Sequence, residues 1–165
     1  MIRLLFIFGT RPESIKMAPL IKECRKYPKE FFVSVCVSAQ HRQMLDQVLG
    51  FFDIIPDYDL DIMKSDQTLF DVTAKGLKGL ESVIDKSNPD LIFVQGDTTT
   101  AFIGALAGYY KKIKVAHLEA GLRSNNKYSP FPEELNRILI GKISDFHFAP
   151  TDLAVNNLKN EGVFT

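Results

Sequence analysis

Short runs of apolar, β-branched and aromatic residues alternate along this chain with longer stretches in which apolar positions return every three or four residues. The runs predict strands near 3–9, 31–39, 90–96, 114–120 and 146–150; the longer stretches predict helices near 12–26, 42–50, 67–86, 98–111, 132–143 and 152–160. Segment 51–60 breaks the order with Pro56 and the aspartates Asp53, Asp57 and Asp59, and predicts only a short edge strand at Tyr58 to Leu60. Repeated strand-then-helix order calls for a parallel sheet covered on both faces and built with right-handed crossovers. The expected fold is therefore α/β, a Rossmann-like parallel sheet flanked by helices, in one domain.

Three of the apolar runs end in polar clusters: the strand from Leu4 in GTRPE (9–13), the strand from Leu91 in QGDTTT (95–100), and the strand from Val115 in HLEAG (117–121). In an open parallel sheet the carboxyl ends of the strands line the ligand crevice, so these clusters should converge there.

Composition narrows the function classes. The 165 residues carry formal net charge zero, with 45% hydrophobic and 24% charged residues, an ordinary balance for a globular protein with its own core. No overall basic character marks the chain for nucleic acid or an anionic membrane, so an anion site must be built locally. No segment approaches membrane-spanning length, and the first apolar run is too short for a secretory signal; the expected location is the cytoplasm. Cys24 falls in a predicted helix and Cys36 in a predicted strand, without metal-ligand spacing, and both read as reduced thiols.

At GTRPE, Thr10 and Glu13 have the spacing of a capping box and Pro12 suits a first helical turn. From spacing alone Arg11 and Lys16 read as solvated decoration of a helix end; the alternative is that they add positive charge to a helix start whose free N–H groups attract phosphate. Asp97 sits at a strand tip with Thr98 as N-cap, either as a reactive carboxylate or as an acceptor for loop amides. His117 and Glu119 alternate on a predicted strand and should share a face. A carboxylate in a partly desolvated crevice suits proton transfer, whereas a structural one would be paired with Arg or His. Glu133 and Arg137, four apart on a helix that starts near Pro132, share a side and would make a surface salt bridge or face the crevice. Leu135, Ile138, Leu139 and Ile143 would form that helix's apolar stripe. Asp97, His117 and Glu119 also resemble an N/O ligand set for a divalent ion, but no local signature such as HExxH supports one, and no metal is expected.

Taken together, FGTRPESIKMAPL (8–20), AQHRQMLDQVL (39–49), QGDTTT (95–100), HLEAGLRS (117–124) and YSPFPEELNR (128–137) resemble the non-hydrolysing UDP-N-acetylglucosamine 2-epimerases, over essentially the whole chain. The resemblance implies a GT-B-type two-domain protein with its active site between domains, residues 1–165 being the N-terminal domain and the C-terminal nucleotide-binding domain lying outside this chain. It implies interconversion of UDP-N-acetylglucosamine and UDP-N-acetylmannosamine through a 2-acetamidoglucal intermediate, with no cofactor. It further implies Asp97, Glu119 and Glu133 as catalytic carboxylates, and Arg11, Lys16, Arg137 and His117 as substrate contacts. A homodimer is implied for the complete protein, and neither nucleic acid nor membrane as a partner. Some family members bind a second substrate molecule through positions matching Gln40, His41, Gln43 and Gln67; the arginine found before the last of these is Asp66 here. The same residues 40–47 also read as a plain amphipathic helix with Met44, Leu45, Val48 and Leu49 inward. Two alternatives stand beside the epimerase: a non-catalytic nucleotide-sugar-binding module or truncation product, and a hydrolysing 2-epimerase.

Overall fold

The computed structural model describes residues 1–38, 42–62 and 67–163. Six parallel strands, β1 (Ile2–Phe8), β2 (Phe31–Val37), β3 (Tyr58–Asp59), β4 (Leu91–Gln95), β5 (Lys114–Leu118) and β6 (Phe146–Phe148), form one sheet in the order β3-β2-β1-β4-β5-β6. Among the described residues, six helices connect and flank them: α1 (Arg11–Arg25), α2 (Arg42–Phe51), α3 (Leu69–Ser87), α4 (Thr99–Tyr110), α5 (Glu133–Ile143) and α6 (Asp152–Asn160). This is the doubly wound order, in which the chain leaves β1 toward one edge and returns at β4 to build the other.

Alternation on β1 shows how both faces are filled. Leu5 and Ile7 enter a cluster with Leu80, Ile84, Ile103 and Val115, beneath α3 and α4. Leu4, Phe6 and Phe8 enter a second cluster with Met17, Ile21, Leu45 and Leu49, beneath α1 and α2. A strand buried on both sides has no polar face to offer, hence the continuous apolar run. Phe6 stacks on its register partner Phe93 with ring centroids 4.7 Å apart, which tightens the β1–β4 seam.

Two helical stripes differ from expectation. In α2, Leu45 and Leu49 are buried, while Met44 is exposed and Val48 only half-buried. In α5, Leu135 and Leu139 are exposed, and the inward side carries Glu134, Asn136, Ile140 and Gly141. A helix that turns carboxylate, amide and guanidinium groups inward and leaves leucines outside is serving its polar side chains. Cys36 is buried in β2 and Cys24 half-buried in α1; neither is in a disulfide.

Candidate active site

The tips of β1, β4 and β5 lie side by side at the switch in strand order, and each delivers a polar residue. After β4, the turn through Gly96 (φ 68°) sets Asp97 just ahead of α4, and Thr98 caps that helix by accepting from the Ala101 N–H at 3.0 Å. After β5 the strand stops at Leu118, one residue before Glu119, instead of running to 120. Glu119 itself takes φ 62°, a left-handed conformation that costs a residue with a Cβ. It therefore does not alternate with His117 on a common face. His117 stays fully buried and its Nε2 bonds the carbonyl of Gly96 at 2.7 Å; Glu119 swings into the crevice.

There the Glu119 carboxylate meets Lys16 of α1, with Nζ 2.5 Å from Oε2, and accepts from the side-chain amide of Gln95. Lys16, Gln95 and Glu119 form the polar side of a cleft of about 580 Å³, whose other walls include Leu20, Phe93, Leu118 and Phe148. An apolar cleft with a few convergent polar groups has the character of a small-molecule site.

Asp97 is held from α5. Its carboxylate pairs with the Arg137 guanidinium, and its carbonyl accepts from Asn136 Nδ2 at 2.9 Å. Burial pushes the Asp97 carboxyl above the ordinary carboxylate range; Arg137 opposes that shift, and the negative charges of Glu133 and Glu119 add to it. Glu119 and Glu133 are thus both near enough to act on the charge of Asp97. Arg137 does not close a salt bridge with Glu133. It reaches Asp97 on one side and lies 3.6 Å from Glu134 on the other.

Arg11 opens α1, exposed and without a side-chain partner among the described residues. The amides expected to attract phosphate at that end are partly occupied: Glu13 accepts from the backbone N–H groups of Gly9 at 3.0 Å and Thr10 at 2.7 Å. A diphosphate meeting α1 here would find a carboxylate already on those two donors. His117, expected to touch substrate, has no exposed face; it props up the Gly96 turn from beneath. Burial pushes its pKa down to about 4, so the ring is neutral near pH 7. Among the described residues, Asp97, His117 and Glu119 do not form a metal-ligating group. Gln43 is exposed on the first turn of α2 and Gln67 is half-buried just before α3; Gln40, His41 and Asp66 lie outside the described residues.

Several residues of the site were not singled out by sequence. Gln95 falls in the polar QGDTTT cluster, but spacing assigns it no role. Glu134, fully buried, accepts from the Ser124 and Asn125 N–H groups at 3.0 Å and so ties the loop after β5 to α5. Its neighbour Glu133 carries the same charge at the same helix start, and only packing shows which of the two turns inward. Arg123 makes a two-pronged pair with Glu161 of 2.6 and 2.8 Å, joining that loop to the end of α6.

A family model described as UDP-N-acetylglucosamine 2-epimerase matches residues 22–165. The chain belongs to this family. A UDP-N-acetylglucosamine 2-epimerase of Bacillus subtilis is 56% identical over 97% of the chain, which corresponds to 42% of that relative. A solved 2-epimerase of Neisseria meningitidis bound to UDP-GlcNAc superposes with TM-score 0.95 at 50% identity, over 99% of this chain and 44% of that one. The S. aureus protein MnaA, solved with UDP, superposes with TM-score 0.96 at 52% identity, over 100% of this chain and 43% of that one. The chain therefore spans somewhat over two-fifths of the length of the 2-epimerases it matches.

Proposed function

We propose that these residues are the N-terminal, proton-handling domain of a UDP-N-acetylglucosamine 2-epimerase of the non-hydrolysing kind, completed by a C-terminal nucleotide-binding domain. The observation that carries the reading is the gathering of Asp97, Glu119 and Glu133 with Lys16 and Arg137 at the tips of neighbouring strands. A strained, non-glycine backbone at Glu119 supports it, because strain of this sort gathers where geometry serves function.

The chemistry asks for what the crevice holds. A carboxylate takes the C2 proton as the C1–O bond to UDP breaks and the C1=C2 bond of 2-acetamidoglucal forms; UDP then adds back through oxygen at C1 while C2 receives a proton on its opposite face. This requires acid/base groups on two sides of the sugar and cationic stabilisation of the departing diphosphate. Glu119, oriented by Lys16 and Gln95, and Asp97, oriented by Arg137 and Asn136, supply two separately anchored carboxylates. Partial burial of Asp97 disfavours its charged form and suits it to exchange a proton. Arg11, without a side-chain partner among the described residues, meets a diphosphate without first surrendering an ion pair. No redox step occurs and no cofactor is called for. Closing the sugar off from water falls to the second domain, so residues 1–165 alone would not turn over.

Two unpaired cysteines fit a reducing cytoplasm, and no described helix is long and apolar enough to cross a membrane. In this reading the complete enzyme works there as a dimer and provides N-acetylmannosamine units for surface polysaccharide. The test is product analysis by anion-exchange chromatography of UDP-N-acetylglucosamine incubated with the complete protein. UDP-N-acetylmannosamine should accumulate to an equilibrium mixture. Free N-acetylmannosamine with stoichiometric UDP would instead establish the hydrolysing reaction, and unchanged substrate would remove the activity.

A further inference from the structure

Glu13 is more than a helix cap. A capping-box glutamate ordinarily reaches back to one N–H at an exposed helix start. Here the side chain is buried, at 1% exposure, and its two oxygens take four donors from two separate elements. Oε2 accepts from Gly9 N at 3.0 Å, Thr10 N at 2.7 Å and Thr10 Oγ1 at 2.7 Å; Oε1 accepts from Thr98 Oγ1 at 2.7 Å, 85 residues along the chain. Thr98 in turn caps α4, so one carboxylate joins the start of α1 to the start of α4.

The place of this link gives it meaning. β1 and β4 are neighbours at the switch in strand order, and from their tips the chain departs to opposite faces of the sheet, α1 on one and α4 on the other. Arg11 lies two residues before Glu13, and Asp97 lies immediately before Thr98. Packing beneath is tight: Ser38 Oγ and Thr100 Oγ1 are 2.8 Å apart and buried, and a Cβ on Gly9 would fall 2.0 Å from Ser38 Oγ. All four donors point at Glu13 and no cation pairs with it among the described residues, so the buried carboxyl is held by hydrogen bonds alone; burial pushes its pKa above the ordinary carboxylate range and those hydrogen bonds oppose the shift. For capping by itself, a half-exposed Glu or Gln would serve.

We propose that Glu13 is a positioning residue that staples the β1–α1 turn to the β4–α4 turn, and thereby sets Arg11, Lys16 and Asp97 at fixed separations around the sugar nucleotide. This rests on the epimerase reading above. The staple acts on geometry at the reacting centre and touches no substrate atom, so its loss should lower turnover more than affinity.

The test uses the complete protein and three variants. Glu13→Gln replaces an acceptor oxygen by a donor. Thr98→Asp keeps an N-cap acceptor for α4 but replaces the hydroxyl that donates to Glu13 with a second carboxyl, and Thr98→Ser keeps the bridging hydroxyl. Displacement of catalytic groups on the ångström scale costs up to about 100-fold, so Glu13→Gln and Thr98→Asp should each lower kcat by at least about 10-fold, with KM for UDP-N-acetylglucosamine within about threefold. Thr98→Ser should recover most of kcat. Wild-type kcat in both disruptive variants, or a kcat that falls only with the folded fraction seen by circular dichroism, would overturn the proposal. If Glu13→Gln does not fold, the two Thr98 variants decide by the same criteria. If the wild type itself does not epimerise, the functional reading fails separately. Amide hydrogen exchange over residues 96–100 then judges the staple: faster exchange in the Glu13→Gln and Thr98→Asp variants supports it, and unchanged exchange overturns it.

Discussion

Arg137 of α5 places its guanidinium on the carboxylate of Asp97, forty residues earlier in the chain, and so joins the second half of the sheet to the tip of its central strand β4. The pair opposes the rise that burial imposes on the Asp97 pKa.

Removing the cation should show in the pH dependence. In Arg137→Leu the burial contribution and the negative neighbours Glu133 and Glu119 act unopposed, so the Asp97 pKa moves further up. The acid limb of the kcat/KM profile of the complete enzyme should then shift to higher pH, and activity near neutral pH should fall about 100-fold or more, the scale of a lost acid/base contribution. An unshifted acid limb would show that Asp97 does not control it.

Glu119 offers a separation of strain from chemistry. Its φ of 62° is disfavoured for any residue with a Cβ and open to glycine. Glu119→Gly and Glu119→Ala both delete the carboxylate and its contacts with Lys16 and Gln95, and both should abolish epimerisation. The glycine variant should nonetheless be the more stable of the two by about 1 kcal/mol, the cost of a left-handed backbone. Urea unfolding of the two variants measures the difference; equal stability would mean the backbone at 119 is relaxed.

A buried neutral histidine should make stability sensitive to acid. With the pKa of His117 lowered to about 4 from an ordinary 6.5, the unfolded chain takes up its proton first as pH falls. The contribution is complete above pH 6.5 and is lost as pH drops through about 4, by on the order of 3 kcal/mol. Denaturation midpoints between pH 4 and 7 should therefore fall less steeply in His117→Gln than in the wild type. Parallel curves would place the acid sensitivity elsewhere.

Gly121, two residues past Glu119, has φ 88°, and a Cβ there would come 2.3 Å from the carbonyl oxygen of Ala154 in α6. Backbone cannot yield as a flexible side chain does. Gly121→Ala should destabilise by about 3 kcal/mol, the upper end for such backbone strain, and lower activity by disturbing the turn that presents Glu119. A thermal midpoint equal to that of the wild type would show that α6 moves away without cost.

The elements were legible because their signals are local. Apolar runs, the Thr98 cap, and Pro56 with the aspartates around it placed the six strands and six helices to within a few residues. What the sequence hid is set by packing. Nothing local indicates that β5 stops at Leu118 and that Glu119 takes a left-handed turn, and alternation therefore wrongly put His117 and Glu119 on one face. Spacing proposed a pair between Glu133 and Arg137, whereas the tertiary fold turns Arg137 toward Asp97 and turns Glu134 inward. Leu135 and Leu139 read as a core stripe because hydrophobic periodicity does not reveal which side of a helix meets a polar site.

In the proposed reaction, carboxylates of this crevice handle the proton on C2 of the sugar. The most direct measurement is proton NMR of UDP-N-acetylglucosamine with the complete enzyme in D2O, following the C2 proton and the anomeric signals of both epimers. Deuterium should enter C2 of both sugars as UDP-N-acetylmannosamine appears, and Glu119→Gln should stop it. Interconversion with the C2 proton fully retained would contradict the proposed reaction.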